Sequence, residues 1–162
     1  MFSTQFTEGF DYELQNRRFA LISMSGIARR LHGDPRISFW GGYSDLERFN
    51  VPRYEEAARR WGRSAKPTAW TRVRGALIGA TPRFMLRPLL AFAYPKTVKY
   101  LEDLRRVRGT GPEDGKAFLD YMVDQEVVQI EMMRLALDDR FSEIAPKLED
   151  FFSKYEDARL FS

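Results

Sequence analysis

Residues 112–140, PEDGKAFLDYMVDQEVVQIEMMRLALDDR, decide how the chain is read. They predict one long helix, Pro112 to Arg140, with Leu119, Val123, Glu126, Ile130, Met133 and Leu137 as its core-facing row. The steps alternate between four and three residues, which keeps the row on one side of the helix and lets it pack along a neighbour. Glu126 is out of character in that row. A carboxylate in an apolar seam requires a partner or a shifted pKa. Arg17 and Arg105 are the candidate cations, and Tyr43, Tyr54 and Tyr121 the candidate hydroxyl donors.

Outward from this stretch the same periodicity recurs. A first helix is expected from Thr7 to Leu31, with Phe10, Leu14, Leu21, Met24, Ala28 and Leu31 on one face and Arg17 interrupting it. His32-Gly33-Asp34-Pro35 stops it, and the one histidine suits a helix C-terminus, where the dipole favours a cation. Arg36 to Trp40 has the pattern of a short extended piece, and Gly41-Gly42 weakens regular structure after it. A second helix then starts at Ser44, or earlier with a break, and carries Tyr43, Glu47, Asn50, Tyr54, Ala57 and Trp61 on its face, with Pro52 inside and Gly62 at its end. Lys66 to Ala80 reads as a connector with a short helix capped by Thr68 and with Trp70, Val73 and Leu77 turned inward. Thr81-Pro82 opens a third main helix, expected to be kinked or split by Pro88 and Pro95 and regular from Pro95 to Arg108. Ile144, Leu148, Phe151, Tyr155 and Ala158 mark a last amphipathic helix. The fold class that follows is all-α: one up-and-down helical bundle over residues 1–162, with an extra C-terminal amphipathic helix and a proline-containing third helix.

Composition narrows the function. The chain has 162 residues, 44% of them hydrophobic, enough for a real core and too apolar for a disordered chain. It has no cysteine, so disulfides and thiolate metal sites are absent. No apolar run approaches the roughly 20 residues needed to span a bilayer, and the first residues lack the pattern of a signal peptide, so a cytoplasmic protein is expected. No phosphate-binding glycine loop or nucleophile elbow is present. Charge is unevenly laid out. Ala57 to Leu101 holds ten bases and no acid, whereas Glu102 to the end holds fifteen acids and nine bases. The basic middle interleaves with Trp61, Trp70, Phe84, Phe92 and Tyr94, and Arg72, Arg74, Arg83 and Arg87 are its candidate contacts to an anionic membrane surface or a protein partner. A homodimer contact through this segment is a further alternative. Nucleic acid ranks last, because no reading motif accompanies the bases.

Several carboxylates and amides fall on apolar faces: Glu13 in YELQ, Glu47 and Asn50 in LERFN, Glu102 in YLED, and Glu126 with Gln129 in QEVVQ. This order resembles the ferritin-like helical bundles, in which two helices each give a Glu and two give Glu-x-x-His. The resemblance implies a four-helix core with an inward-facing polar centre. Asn50 and Gln129 stand in the histidine positions, so a metal site is not expected, and no cofactor is assigned. The expected function is metal-independent binding of a small apolar or amphipathic molecule between the helices. Glu126 and Glu47 are the acid–base candidates, and Asn50, Gln129, Tyr54, Tyr43 and Arg17 the ligand-binding candidates. The rival reading is a non-catalytic accessory protein that docks through its basic-aromatic middle.

Overall fold

A computed structural model describes residues 1–162, and it is all helix: α1 (Thr4–Ala28), α2 (Ile37–Arg60), α3 (Ala69–Gly79), α4 (Leu86–Thr110), α5 (Lys116–Leu137) and α6 (Ile144–Tyr155). Short 3₁₀ turns lead into α4, α5 and α6. The helices α1, α2, α5 and α4 form a ring in which each packs on the next, so α1 faces α5 across the middle. α3 lies on the outside of α1, and α6 fills the groove between α2 and α5. The buried apolar side chains form one continuous cluster, with Phe6, Phe10, Leu46, Phe118, Tyr121 and Leu104 among its fully enclosed members.

Local signals set most of the boundaries. Ser3 caps α1, its hydroxyl accepting from the Phe6 amide, and Thr68 caps α3 in the same way through the Thr71 amide. Gly33 takes a left-handed φ of 77° in the turn between α1 and α2, and His32 beside it is exposed. α5 is the most enclosed helix. Beyond the expected row, Phe118, Tyr121, Met122, Gln125, Gln129, Met132, Leu135 and Ala136 are also buried, because α4, α2 and α6 cover it from three sides. Ile130 and Leu137 of that row are only partly covered.

Four expectations need correction. Arg36 to Trp40 is not extended: Ile37 begins α2, which runs unbroken through Gly41-Gly42 and Pro52 to Arg60. Packing decides this, since a Cβ on Gly42 would sit 2.8 Å from Leu148 of α6, so the glycine is where α6 seats. The third main helix is not split. α4 is one helix through Pro88 and Pro95, because Pro88 lies in the first turn, where no amide partner is needed. Pro52 and Pro95 sit on solvent faces, and the Arg48 and Ala91 residues four positions earlier are exposed, so water satisfies the carbonyls the prolines cannot. Trp70, Val73 and Leu77 do not turn inward; all three are exposed. Ala158 lies past the end of α6 and is exposed too.

The reason for the inverted α3 is a close glycine contact. A Cβ built on Gly26 of α1 would lie 3.0 Å from the Cα of Gly79, and one on Gly75 would lie 2.8 Å from Ile22. Backbone meets backbone, so only small residues fit between α1 and α3. Gly26→Val should therefore destabilise the protein by about 1–3 kcal/mol, as overpacking does. Hydrogen exchange should speed up selectively in α3, and unchanged α3 protection would show that the contact is dispensable.

Candidate functional site

The ring encloses a polar centre built around Arg17. Arg17 lies 11 residues before the end of α1 and Glu47 10 residues after the start of α2, so the α1–α2 hairpin brings the two nearly level. Arg17 Nη1 donates to Glu47 Oε1 at 2.6 Å, Gln125 Oε1 at 3.0 Å and Gln129 Oε1 at 3.1 Å, and Nη2 to Glu126 Oε2 at 3.3 Å. Its Nε lies 3.1 Å from Glu13 Oε1, an ion contact whose angle makes no hydrogen bond. Spacing explains the convergence. Glu13 and Arg17, Glu47 and Asn50, and Gln125 and Gln129 are each three or four residues apart and share a helix face.

Around this centre nearly every polar atom is bonded. Tyr54 and Tyr100 donate to the two oxygens of Glu13, at 2.8 and 2.5 Å, and Tyr121 donates to Asn50 Oδ1. Asn50 Nδ2 reaches Gln125 Oε1 at 3.2 Å, and Gln125 Nε2 donates to Glu126 Oε2 at 3.2 Å and to the Met122 carbonyl. Burial opposes the charge on Arg17, but Glu13, Glu47 and Glu126 outweigh it and raise its pKa, so the guanidinium stays protonated. Three carboxylates share that one cation. Burial pushes Glu47 up to about 8 against the pull of Arg17, with Glu13 and Glu126 adding to the rise. Burial likewise raises Glu126 to about 7, partly offset by Arg17. Burial, helped by Glu13, also keeps the Tyr54 and Tyr100 hydroxyls protonated as donors.

Beside this network lies a cavity of about 610 Å³. α1 and α4 meet where Gly9 approaches Val107, but between Tyr12 and Met24 the residues of α1 line the cavity instead. α3 and α4 make no extended contact, and the cavity's outer end lies between them. Its walls are apolar, including Phe19, Met24, Phe39, Trp40, Leu90 and Met133. Its floor carries Arg17, Tyr43, Glu126 and Gln129, and its outer end Arg74, Lys96, Lys99 and Asp103. Both protein hydrogen bonds to Glu126 arrive at Oε2, which leaves Oε1 unbonded. Gln129 is bonded only through its carbonyl oxygen, which leaves its amide nitrogen free.

Comparison with protein-family models, curated proteins and solved structures finds no match to this chain. The site stands on its geometry.

Of the residues named from sequence, Arg17, Glu126, Gln129 and Tyr43 reach the cavity. Glu47, Asn50 and Tyr54 belong to the network but line a separate recess of about 10 Å³ with Leu14 and Leu21, so they do not meet a molecule in the cavity. Glu102 leaves the quartet altogether: it is exposed and paired with Arg105. No group of three or more Asp, Glu, His or Cys side chains is placed to hold a metal ion, and the Arg17 guanidinium fills the space between Glu13, Glu47 and Glu126. The donor set therefore does not fit a metal pair. Tyr100 and Gln125 were missed in the sequence. Tyr100 lies two residues before Glu102 and about 200° round α4 from it, and nothing in its local pattern announces a buried hydroxyl.

Among the surface bases, Arg72 and Arg74 lie on α3. Arg83 donates to the Arg30 carbonyl, and Arg87 donates to the Leu137 carbonyl and to Asp139. Arg83 therefore ties the 3₁₀ turn before α4, and Arg87 ties α4 itself, to their neighbours. No helix is long and apolar enough to cross a membrane.

Proposed function

We propose that the protein binds a small amphipathic molecule between its helices, without a metal, and that Glu126 is the acid–base group of that site. The observation that carries this reading is the 610 Å³ cavity with apolar walls and a floor where Glu126 and Gln129 keep polar atoms unbonded. The volume is in the range of small-molecule sites, about 300–1,000 Å³, and the mixture of apolar wall and few convergent polar groups is typical of them. An apolar body fits against Phe39, Trp40 and Met133, and an anionic head group is favoured beside Arg74, Lys96 and Lys99 at the outer end. Glu126 holds or releases a proton near neutral pH, because its raised pKa lies there. Gln129 and Tyr43 orient whatever polar group reaches the floor.

Dodecanoate is a suitable probe, followed by calorimetry. The chain should bind it, and Ala20→Trp, which fills the cavity from its α1 wall, should weaken binding by about tenfold or more, a loss of about 1.4 kcal/mol. An apolar tail desolvates the Glu126 carboxyl and favours its neutral form. Dodecanoate affinity should therefore fall as pH rises through about 7, and Glu126→Gln should remove that fall. No binding by the parent, or equal binding by Ala20→Trp, would sink the proposal.

A further inference from the structure

The outermost side of α3 is apolar. Its inner side is Thr71, Gly75 and Gly79 against α1, and its outer side is Ala69, Trp70, Val73, Ala76, Leu77 and Ala80, all exposed. Trp70 is 66% exposed and Leu77 67%. At 100° per residue Arg72 and Arg74 fall on opposite flanks of this outer stripe. Phe84, in the turn after α3, is 79% exposed, and Phe92, at the cavity's outer end, is 63% exposed with its ring 4.0 Å from the Lys96 ammonium. A surface helix that is apolar on its outer side requires something to cover it.

The charge layout selects the cover. No acid occurs between Ala57 and Leu101, so the segment presents aromatic and aliphatic tips in a rim of Arg and Lys. A second copy meeting this face about a two-fold axis would set Arg72 and Arg74 against their own counterparts, which repel. An anionic bilayer complements both features, taking the aromatic tips into its interface and the bases at its head groups. The same surface runs into the cavity, since Leu77, Phe92 and Arg74 belong to both.

We propose that α3, Phe84 and Phe92 seat the protein on an anionic lipid bilayer, and that the cavity takes its amphiphile from that bilayer through the gap between α3 and α4. The second half rests on the binding function proposed above; the docking half does not. Arg72, Arg74, Lys96 and Lys99 supply the electrostatic attraction, and Trp70, Leu77, Phe84 and Phe92 the apolar anchorage.

Flotation with phosphatidylcholine vesicles, with and without phosphatidylglycerol, tests the docking. The protein should float with the anionic vesicles at about 0.1 M salt and release at about 1 M, where screening reaches down to about 3 Å. Trp70 is the one exposed tryptophan, with Trp40 and Trp61 buried, so emission should shift to the blue on anionic vesicles and Trp70→Phe should abolish the shift. Trp70→Asp with Leu77→Asp should cut flotation by about tenfold or more with little effect on folding, because both side chains are exposed. Absence of flotation with anionic vesicles, or flotation indifferent to the double substitution, overturns the docking. So does a dimer in sedimentation that the double substitution dissociates, since the face would then be covered by a second copy. Flotation without dodecanoate binding supports the docking and overturns the transfer; dodecanoate binding without flotation leaves the cavity function standing and overturns the docking.

Discussion

Arg17→Met is expected to be the most damaging single substitution in the polar centre, and its damage should depend on pH. Methionine keeps much of the aliphatic volume and removes the one cation that Glu13, Glu47 and Glu126 share. Breaking a buried ion pair from one side costs about 3–5 kcal/mol, because the remaining charge is left without a partner. For a domain of this size that is a fall in Tm of roughly 6–20 °C. Glu47 and Glu126 can escape the cost by protonating, so the loss should be largest near pH 8 and much smaller near about pH 5. Thermal melts of parent and variant across that range are the measurement. A pH-independent loss would mean that Arg17 matters through its packing alone, and no loss would mean that the network does not close around it. Arg48→Ala is the contrasting control. Its ion pair with Asp45 is exposed on both sides, and its removal should change stability by no more than about 0.5 kcal/mol.

The helices and the centre were legible in the sequence to different depths. α1, α5 and α6 follow from apolar spacing, and the end of α1 from the 32–35 turn, whereas the Ser3 cap and the 3₁₀ turn that precedes Lys116 were not read. The Gly41-Gly42 step misleads because helix propensity is a local quantity, whereas those glycines serve contacts with Ile37 within the helix and Leu148 on α6. α3 misleads for a related reason. Periodicity reveals that Trp70, Val73 and Leu77 share a face but says nothing of what the face meets, and the inward side is marked by Thr71, Gly75 and Gly79, which carry little hydropathy signal. Glu126 and Arg17 were visible as polar residues interrupting apolar rows, and their pairing at 3.3 Å is the expected answer to that conflict. The cavity left no trace in the sequence. It arises where α3 and α4 stand apart, a distance fixed by contacts of Gly26 with Gly79 at one side and Gly9 with Val107 at the other. The division of labour also depends on it: Glu47 and Glu126 look alike as inward carboxylates, and only the three-dimensional arrangement puts one on the cavity floor and the other behind Arg17.

That division carries a second large expectation, a stability that declines as the solution becomes alkaline. The ordinary value for both glutamates is 4.5, and burial raises Glu47 to about 8 and Glu126 to about 7. Between the ordinary and the raised values the folded chain holds protons that the unfolded chain has released. The slope of unfolding free energy with pH follows the protons bound by the unfolded state minus those bound by the folded state, so here it is negative. The stabilisation is fully present below about 4.5 and is lost as pH rises through 7 and then 8. Each unit of raised pKa corresponds to about 1.4 kcal/mol, so Glu47 alone accounts for a decline on the order of 5 kcal/mol. Glu47→Gln keeps the shape of the neutral acid and cannot ionise. It should match the parent near about pH 5 and exceed it by several kcal/mol near pH 9, while Arg17 retains Glu13 and Glu126 as partners. Glu126→Gln should flatten the part of the curve between about 4.5 and 7. Denaturant titrations at fixed temperature read both effects directly. A stability that rises over the same interval would mean that Arg17 holds the carboxylates ionised against burial. Glu126 would then carry a fixed charge at the cavity floor rather than a proton it can exchange.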